Sequence, residues 1–196
     1  MIFATLEEIK ALNEPAITNE DYDELINVYM EAIGATFSNH CNRQFQLNTY
    51  IEYHEGTGEY IFLQELPVRQ INNIWMDANS EWDENSLLDP EDYVLLPDGR
   101  IWSLCFNWRL QNYKVEAIKV EYEGGFDTID GESQDFPVPA DLKLAFIRQI
   151  QYDVKRRKDA GISTVTFKDG SIYKQPLVEL LPQVAATLDY YRMINI

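Results

Sequence analysis

The feature that most constrains the fold is a double change of hydrophobic period. Apolar residues recur every three or four positions at the start of the chain, alternate through the middle, and return to the helical spacing near residue 140. A pattern of one period buries no continuous face in the other geometry, so helices must flank a region of strands. Thr5 and Glu8 have capping-box spacing and open a short helix over LEEIKALN. After Pro15, Ile17 and Thr18 are placed as hydrophobic staple and N-cap of a longer helix. Its apolar positions are Tyr22, Leu25, Ile26, Tyr29, Ile33 and Phe37, and it ends near Cys41. Asp21, Asp23 and Glu24 stand in its first turn, where the helix dipole favours acids.

From about residue 46 to 123 the chain reads as strands. TYIEYHE alternates, EYIFLQELPV follows a GTG turn, and VRQINNIWM continues in the same style. DANSEWDENSLLDPED, residues 77–92, is a polar acidic loop. YVLLPDGRIW predicts a hairpin across Pro97-Asp98-Gly99, and VEAIKVEYEGGF sets Ile118, Val120 and Tyr122 on one face before a glycine pair. Short connections favour antiparallel pairing of these four to six strands.

Beyond Phe126, DTIDGESQDFPVP reads as a loop. It leads into an amphipathic helix near 140–158, with Leu142, Phe146, Ile147, Ile150 and Val154 on one side. STVTFKDGSIYK predicts a hairpin at Asp169-Gly170. The last helix, about 182–194, starts with Pro182 at its first position and carries Val184, Leu188 and Tyr191 on one seam. The expected fold is therefore α+β, a single domain over 1–196. Its mostly helical core comes from 5–41 and 140–194, around a β-rich antiparallel insert at about 46–123.

The formal charge of −17, from 33 acids and 16 bases, opposes adhesive binding to phosphate backbones. It would suit a conduit that DNA passes without sticking, and it equally suits an ordinary acidic protein. No apolar run reaches the roughly 20 residues that cross a bilayer. MIFATLEEIK shows neither a basic nor an apolar signal region. Cys41 and Cys105 are too few for a disulfide framework, which fits a reduced, intracellular origin.

Catalytic signatures are sparse, and neither a catalytic residue nor a cofactor is expected. A phosphate loop, a nucleophile elbow and HExxH are all missing. His40 and Cys41 are adjacent and diverge on a helix, so Cys41 reads as a core residue. With His54 and Cys105 they lack metal-ligand spacing, and the acidic loops lack the ordered calcium pattern, so no metal is expected. A buried carboxylate pair cannot be recognised by spacing in so acidic a chain. Trp75 and Trp102 lie in strand-like segments and are expected in the core. Trp82 and Trp108 lie in or beside polar loops and are expected to be exposed, as interface residues or as a sugar platform. Lys155, Arg156, Arg157 and Lys158 end the helix near 140–158 in four successive cations. Capping the dipole explains part of this cluster, and docking onto an acidic neighbour, a second copy included, explains the rest. Leu188, Tyr191 and Arg192 of the last helix are further candidate contacts, with the monomer core as the alternative for Leu188.

The succession of TLEEIKALN, ITNEDYDELINVYMEAIGATFSNHCNRQF, GTGEYIFLQELPVRQINNIW, DYVLLPDGRIW, KVEAIKVEYEGGF, VPADLKLAFIRQIQYDVKRRKDAGISTVTF and LLPQVAATLDYYRM resembles the head–tail connector (adaptor or head-completion) proteins of tailed bacteriophages. The resemblance implies a structural virion protein without catalysis, assembled in the host cytoplasm and resident at the head–tail interface. It implies a ring of about twelve copies under the portal protein, with helices lining or bracing it. Such a ring extends the DNA channel, passes double-stranded DNA without specific binding, and offers a docking surface to the tail or stopper. The long β-rich middle and the loop at 77–92 depart from the family's pattern. Another tail-associated or carbohydrate-binding virion module is the alternative.

Overall fold

The period change is realised as two units of different architecture: helices from Met1–Asn42 and Val138–Ile196, and strands from Arg43–Pro137. The computed structural model describes residues 1–13, 16–18, 20–55, 59–104, 108, 116–127, 135–156, 164–166, 172–174 and 180–193. The fold class is α+β, as the sequence indicates.

In the helical unit, α1 (Leu6–Ala11) begins with the complete Thr5/Glu8 capping box. Helix α2 (Asp23–Cys41) begins four residues later than Thr18 as N-cap would have it, with Tyr22 at the N-cap and no side-chain cap. The reason lies in the linker. Ile17 N–H donates to the Lys10 carbonyl at 3.2 Å, and Lys10 Nζ reaches Asp23 Oδ1 at 2.7 Å, so the chain is tied back to α1 before it can turn helical. The helix ends at Cys41 with left-handed Asn42 as cap.

Helix α3 (Ala140–Arg156) packs on α2 and on α4 (Pro182–Asp189). Phe3, Phe37 and Phe146 meet at the centre with ring centroids 5.1–5.7 Å apart. Gly34 is required here: a Cβ on it would stand 2.2 Å from the Met1 carbonyl oxygen. Pro182 does open α4, but the helix stops at Asp189 rather than near 194. Tyr191 N–H folds back to the Leu188 carbonyl, and Met193 N–H donates to the Cys41 carbonyl at 2.9 Å, so the chain leaves its axis to close the end of α2. Strands β7 (Thr164–Thr166) and β8 (Ile172–Lys174) pair antiparallel, as the hairpin reading requires; Asp169 and Gly170 lie outside the described residues.

The other unit holds two three-stranded sheets. Strands β1 (Asn48–His54), β6 (Ile118–Gly124) and β3 (Val68–Met76) form one, in the order β1-β6-β3. Strands β2 (Tyr60–Phe62), β5 (Arg100–Ser103) and β4 (Tyr93–Leu95) form the other, in the order β2-β5-β4. All these ladders are antiparallel. The sheets share one core of Ile61, Leu63, Ile74, Ile101, Trp108, Ile118, Val120 and Tyr122. Register shifts on either side of Gln70–Ile71 bring both Ile71 and Ile74 inward from a sequence whose spacing breaks alternation. Gly125 ends β6 at φ +100°, close against the backbone of Gln46. Where the chain enters and leaves the unit, Phe126 N–H bonds the Phe45 carbonyl at 2.7 Å, and buried Asp127 pairs with Arg69 and accepts Phe136 N–H.

Candidate interaction surfaces

The cation cluster begins where the dipole argument puts it. Lys155 is exposed, while Arg156 lays its guanidinium over the Tyr152 ring and donates to its hydroxyl. Arg157 and Lys158 lie outside the described residues. At the other end of the helical unit, Tyr191 Oη donates to Asp141 Oδ1 at 2.8 Å, which joins the tail of the chain to the first turn of α3. Arg192 is exposed; Leu188 is fully buried, among the unit's core residues, and its carbonyl accepts from the Cys41 thiol. Cys41 is a core residue, as its place on the helix predicts. Tyr190, 88% exposed, is a candidate contact that the sequence pattern did not single out.

Two tryptophan expectations are reversed. Trp108 is 1% exposed, its ring part of the sandwich core, because burying so large an apolar surface outweighs the polar sequence around it. Trp102 is 47% exposed, because β5 alternates and Ile101 takes the inward position. Trp82 is half-buried. Its ring packs tilted against Tyr53, centroids 4.9 Å apart, and Lys119 Nζ lies 4.3 Å from the Trp75 ring and 5.9 Å from the Trp82 ring. The loop at 77–92 uses its acids as local caps: Asp77 accepts from Asn79 and Glu81 N–H, Asp83 from Asn85 and Ser86, and Asp89 from Glu91.

The outer face of β2-β5-β4 is apolar. Tyr60, Trp102 and Val94 form one cross-strand row, with Phe62 and Arg100 in the next and Leu104 just beyond β5. Arg100 lies over the Tyr60 ring at 4.7 Å and pairs with Asp98 at 2.8 Å. On β1 the usual alternation is inverted. Tyr50, Glu52 and His54 pair with the inward residues Tyr122, Val120 and Ile118, while Ile51 and Tyr53 face out, about half exposed. Their outward neighbours on β6 are Glu121 and Lys119.

The inward acids explain that inversion in part. Tyr122 Oη donates to Glu52 and accepts Glu65 N–H at 3.0 Å, and His54 Nε2 is 3.2 Å from Glu52. Glu65 accepts Gln44 N–H at 2.8 Å and lies 3.8 Å from Arg43 Nε, an ion pair rather than a hydrogen bond; Arg43 also donates to the Leu66 carbonyl. Burial pushes the Glu65 carboxyl up, against the Gln44 and Arg43 contacts that lower it. Burial and then the Glu52 charge push Tyr122 up, and burial with Glu65 pushes Tyr50 up to about 12. Sequence spacing could not pair Glu52 with Glu65, since Tyr122 joins them from another strand. Among the described residues no group of three metal-ligating side chains converges, and no helix is long and apolar enough to cross a membrane.

Residues 3–194 match the family model described as head completion protein. The fold is similar to a chain from the neck of an empty GTA particle computed with C6 symmetry, at 13% identity and a TM-score of 0.60, covering 99% of this chain and 91% of that one. It is also similar to a chain from the neck of a native GTA particle computed with C12 symmetry, at 15% identity and a TM-score of 0.55, covering 88% and 84%. A chain from the virion of a native gene transfer agent particle gives 15% identity and a TM-score of 0.55, covering 92% and 82%. At these identities the likeness is one of fold. No curated protein matches.

Proposed function

Because the chain belongs to the head completion protein family, it is a structural subunit of the head–tail connection, and we propose that it works there as one copy of a closed ring below the portal. The family match carries the reading, since it runs through the helical and the β-rich unit alike. The six- and twelvefold symmetry of the similar necks supports a ring of about twelve.

In this reading the protein acts through shape and sign of charge, and makes or breaks no bond. About twelve copies at −17 each give roughly −200 charges, so DNA crossing the ring meets a repelling wall. The ring extends the channel and presents a surface to the tail or stopper, at the head–tail interface of a virion built in the host cytoplasm. Lys155, Arg156, Arg157 and Lys158 contact an acidic neighbouring copy or the portal, and Tyr191 and Arg192, at the other end of α3, make a separate contact. The test uses DNA-filled heads produced without this chain. Adding the purified protein is expected to let them keep their DNA and accept tails. Tail joining at full yield without the protein would refute the function.

A further inference from the structure

A closed ring of identical subunits needs two different, complementary surfaces on each copy, whereas a twofold pair needs only one. Strongly like-charged copies also favour apolar seams, since contacts between acidic surfaces bring carboxylates together. The β sandwich offers both conditions on its two outer faces. One carries Phe62, Val94, Trp102 and Leu104, all exposed, with Arg100 in their midst. The other carries Ile51 and Tyr53, beside Glu121, Glu123 and the Trp75–Lys119–Trp82 stack. Since the sheets pack on each other through their inner faces, these two surfaces lie on opposite sides of one compact unit.

Solvation alone does not explain the arrangement. Phe62 is 62% and Ile51 51% exposed, while on the same strand as Ile51 the polar Glu52 and His54 side chains turn inward. A local rule broken this way, with apolar side chains outward and ionisable ones inward, marks a surface kept apolar for contact. The charges also differ: one face holds the Arg100–Asp98 ion pair, and on the other Glu121 and Glu123 outnumber the single cation Lys119. We propose that these faces are the two halves of one head-to-tail seam, so that Trp102 and Phe62 of one copy meet Ile51 and Tyr53 of the next. The proposal rests on the ring reading above and names where the ring closes.

The test compares the full-length protein with Phe62→Thr/Trp102→Thr and Ile51→Thr/Tyr53→Thr, substitutions that suit exposed strand positions. Melting and circular dichroism verify folding. Copy number is read by sedimentation and chemical cross-linking, free and on DNA-filled heads made without the chain. Each variant is expected to lose about 100-fold or more in subunit affinity and to remain single where the wild type forms rings. An equimolar mixture of the two variants retains one intact seam per pair and is expected to stop at two copies. Ring formation by both variants would overturn the seam while leaving the ring reading in place. Loss in only one variant would assign that face to another virion protein and overturn the two-sided seam, as would a mixture that stays single or rebuilds rings. A wild type present as a single copy on heads would remove the ring reading and the seam together.

Discussion

Helix α4 has eight residues, a length at which an isolated helix is marginal in water, so its place depends on what holds it. Val184 and Leu188 bury its inner side. Cys41 and His40 of α2 hold its far end, at the Leu188 carbonyl and Asp189, and its start is anchored by Gln149 of α3, fully buried, whose Oε1 accepts Leu181 N–H at 3.0 Å. Its Nε2 donates to Asp153 Oδ2 at 3.2 Å. Gln149→Leu keeps the volume and removes both bonds. Stranding a partly buried N–H and a half-buried carboxylate costs about 1–3 kcal/mol, and the added apolar contact returns up to about 1 kcal/mol. The net expectation is about 1–2 kcal/mol, a fall in Tm of about 2–8 °C for a chain of this size. Hydrogen exchange localises the effect. The amides of Val184 and Ala185, both bonded to the Leu181 carbonyl at 2.9 Å, should lose protection about 5- to 30-fold. A variant with unchanged Tm and unchanged protection at these two amides would refute the anchoring role.

Gly34→Val should destabilise the helical unit by about 1–3 kcal/mol, because the new Cβ strikes the Met1 carbonyl and displaces the segment that carries Phe3; an unchanged calorimetric Tm would contradict this. Glu65 has a folded pKa above its ordinary 4.5, so its contribution to stability is full below that value and is lost as pH rises through the higher folded pKa. Urea titrations across mildly acidic pH should show this slope, and Glu65→Gln should flatten it; identical slopes would count against a raised pKa. Reversing Lys155, Arg156, Arg157 and Lys158 to Glu should lower Tm by several degrees and leave the chain folded, since the Arg156–Tyr152 stack is worth up to about 1 kcal/mol and each charge at the helix end about a few tenths. Assembly on heads should nevertheless fail, and normal assembly would leave the cluster only its role at the helix end.

Much of the fold was legible because local chemistry and period agreed. The Thr5/Glu8 box, Pro182 at the head of α4 and the alternation of Ile118, Val120 and Tyr122 each describe an interaction confined to a few neighbouring residues. Thr18 misled because a tie between Ile17 and Lys10, across a loop, decides where α2 begins. Trp102 and Trp108 exchanged places for a related reason. Alternation gives two faces to β5 without saying which one the other sheet covers, and Ile101 fills the inner one. On β1 the pattern gave no warning, because Glu52 is held inside by Tyr122, seventy residues away, and by Gln64 N–H, and His54 by Glu52 in turn. The outer faces were illegible for the same cause, since they exist only once two sheets have chosen their inner sides.

The central claim is that this chain acts as a multi-copy collar at the junction of head and tail. Electron cryomicroscopy of tailed particles that carry it, with copies counted around the particle axis at the neck, tests that claim directly. The account predicts a closed ring of about twelve copies between head and tail. A neck without this chain, or one holding a single copy, would contradict it.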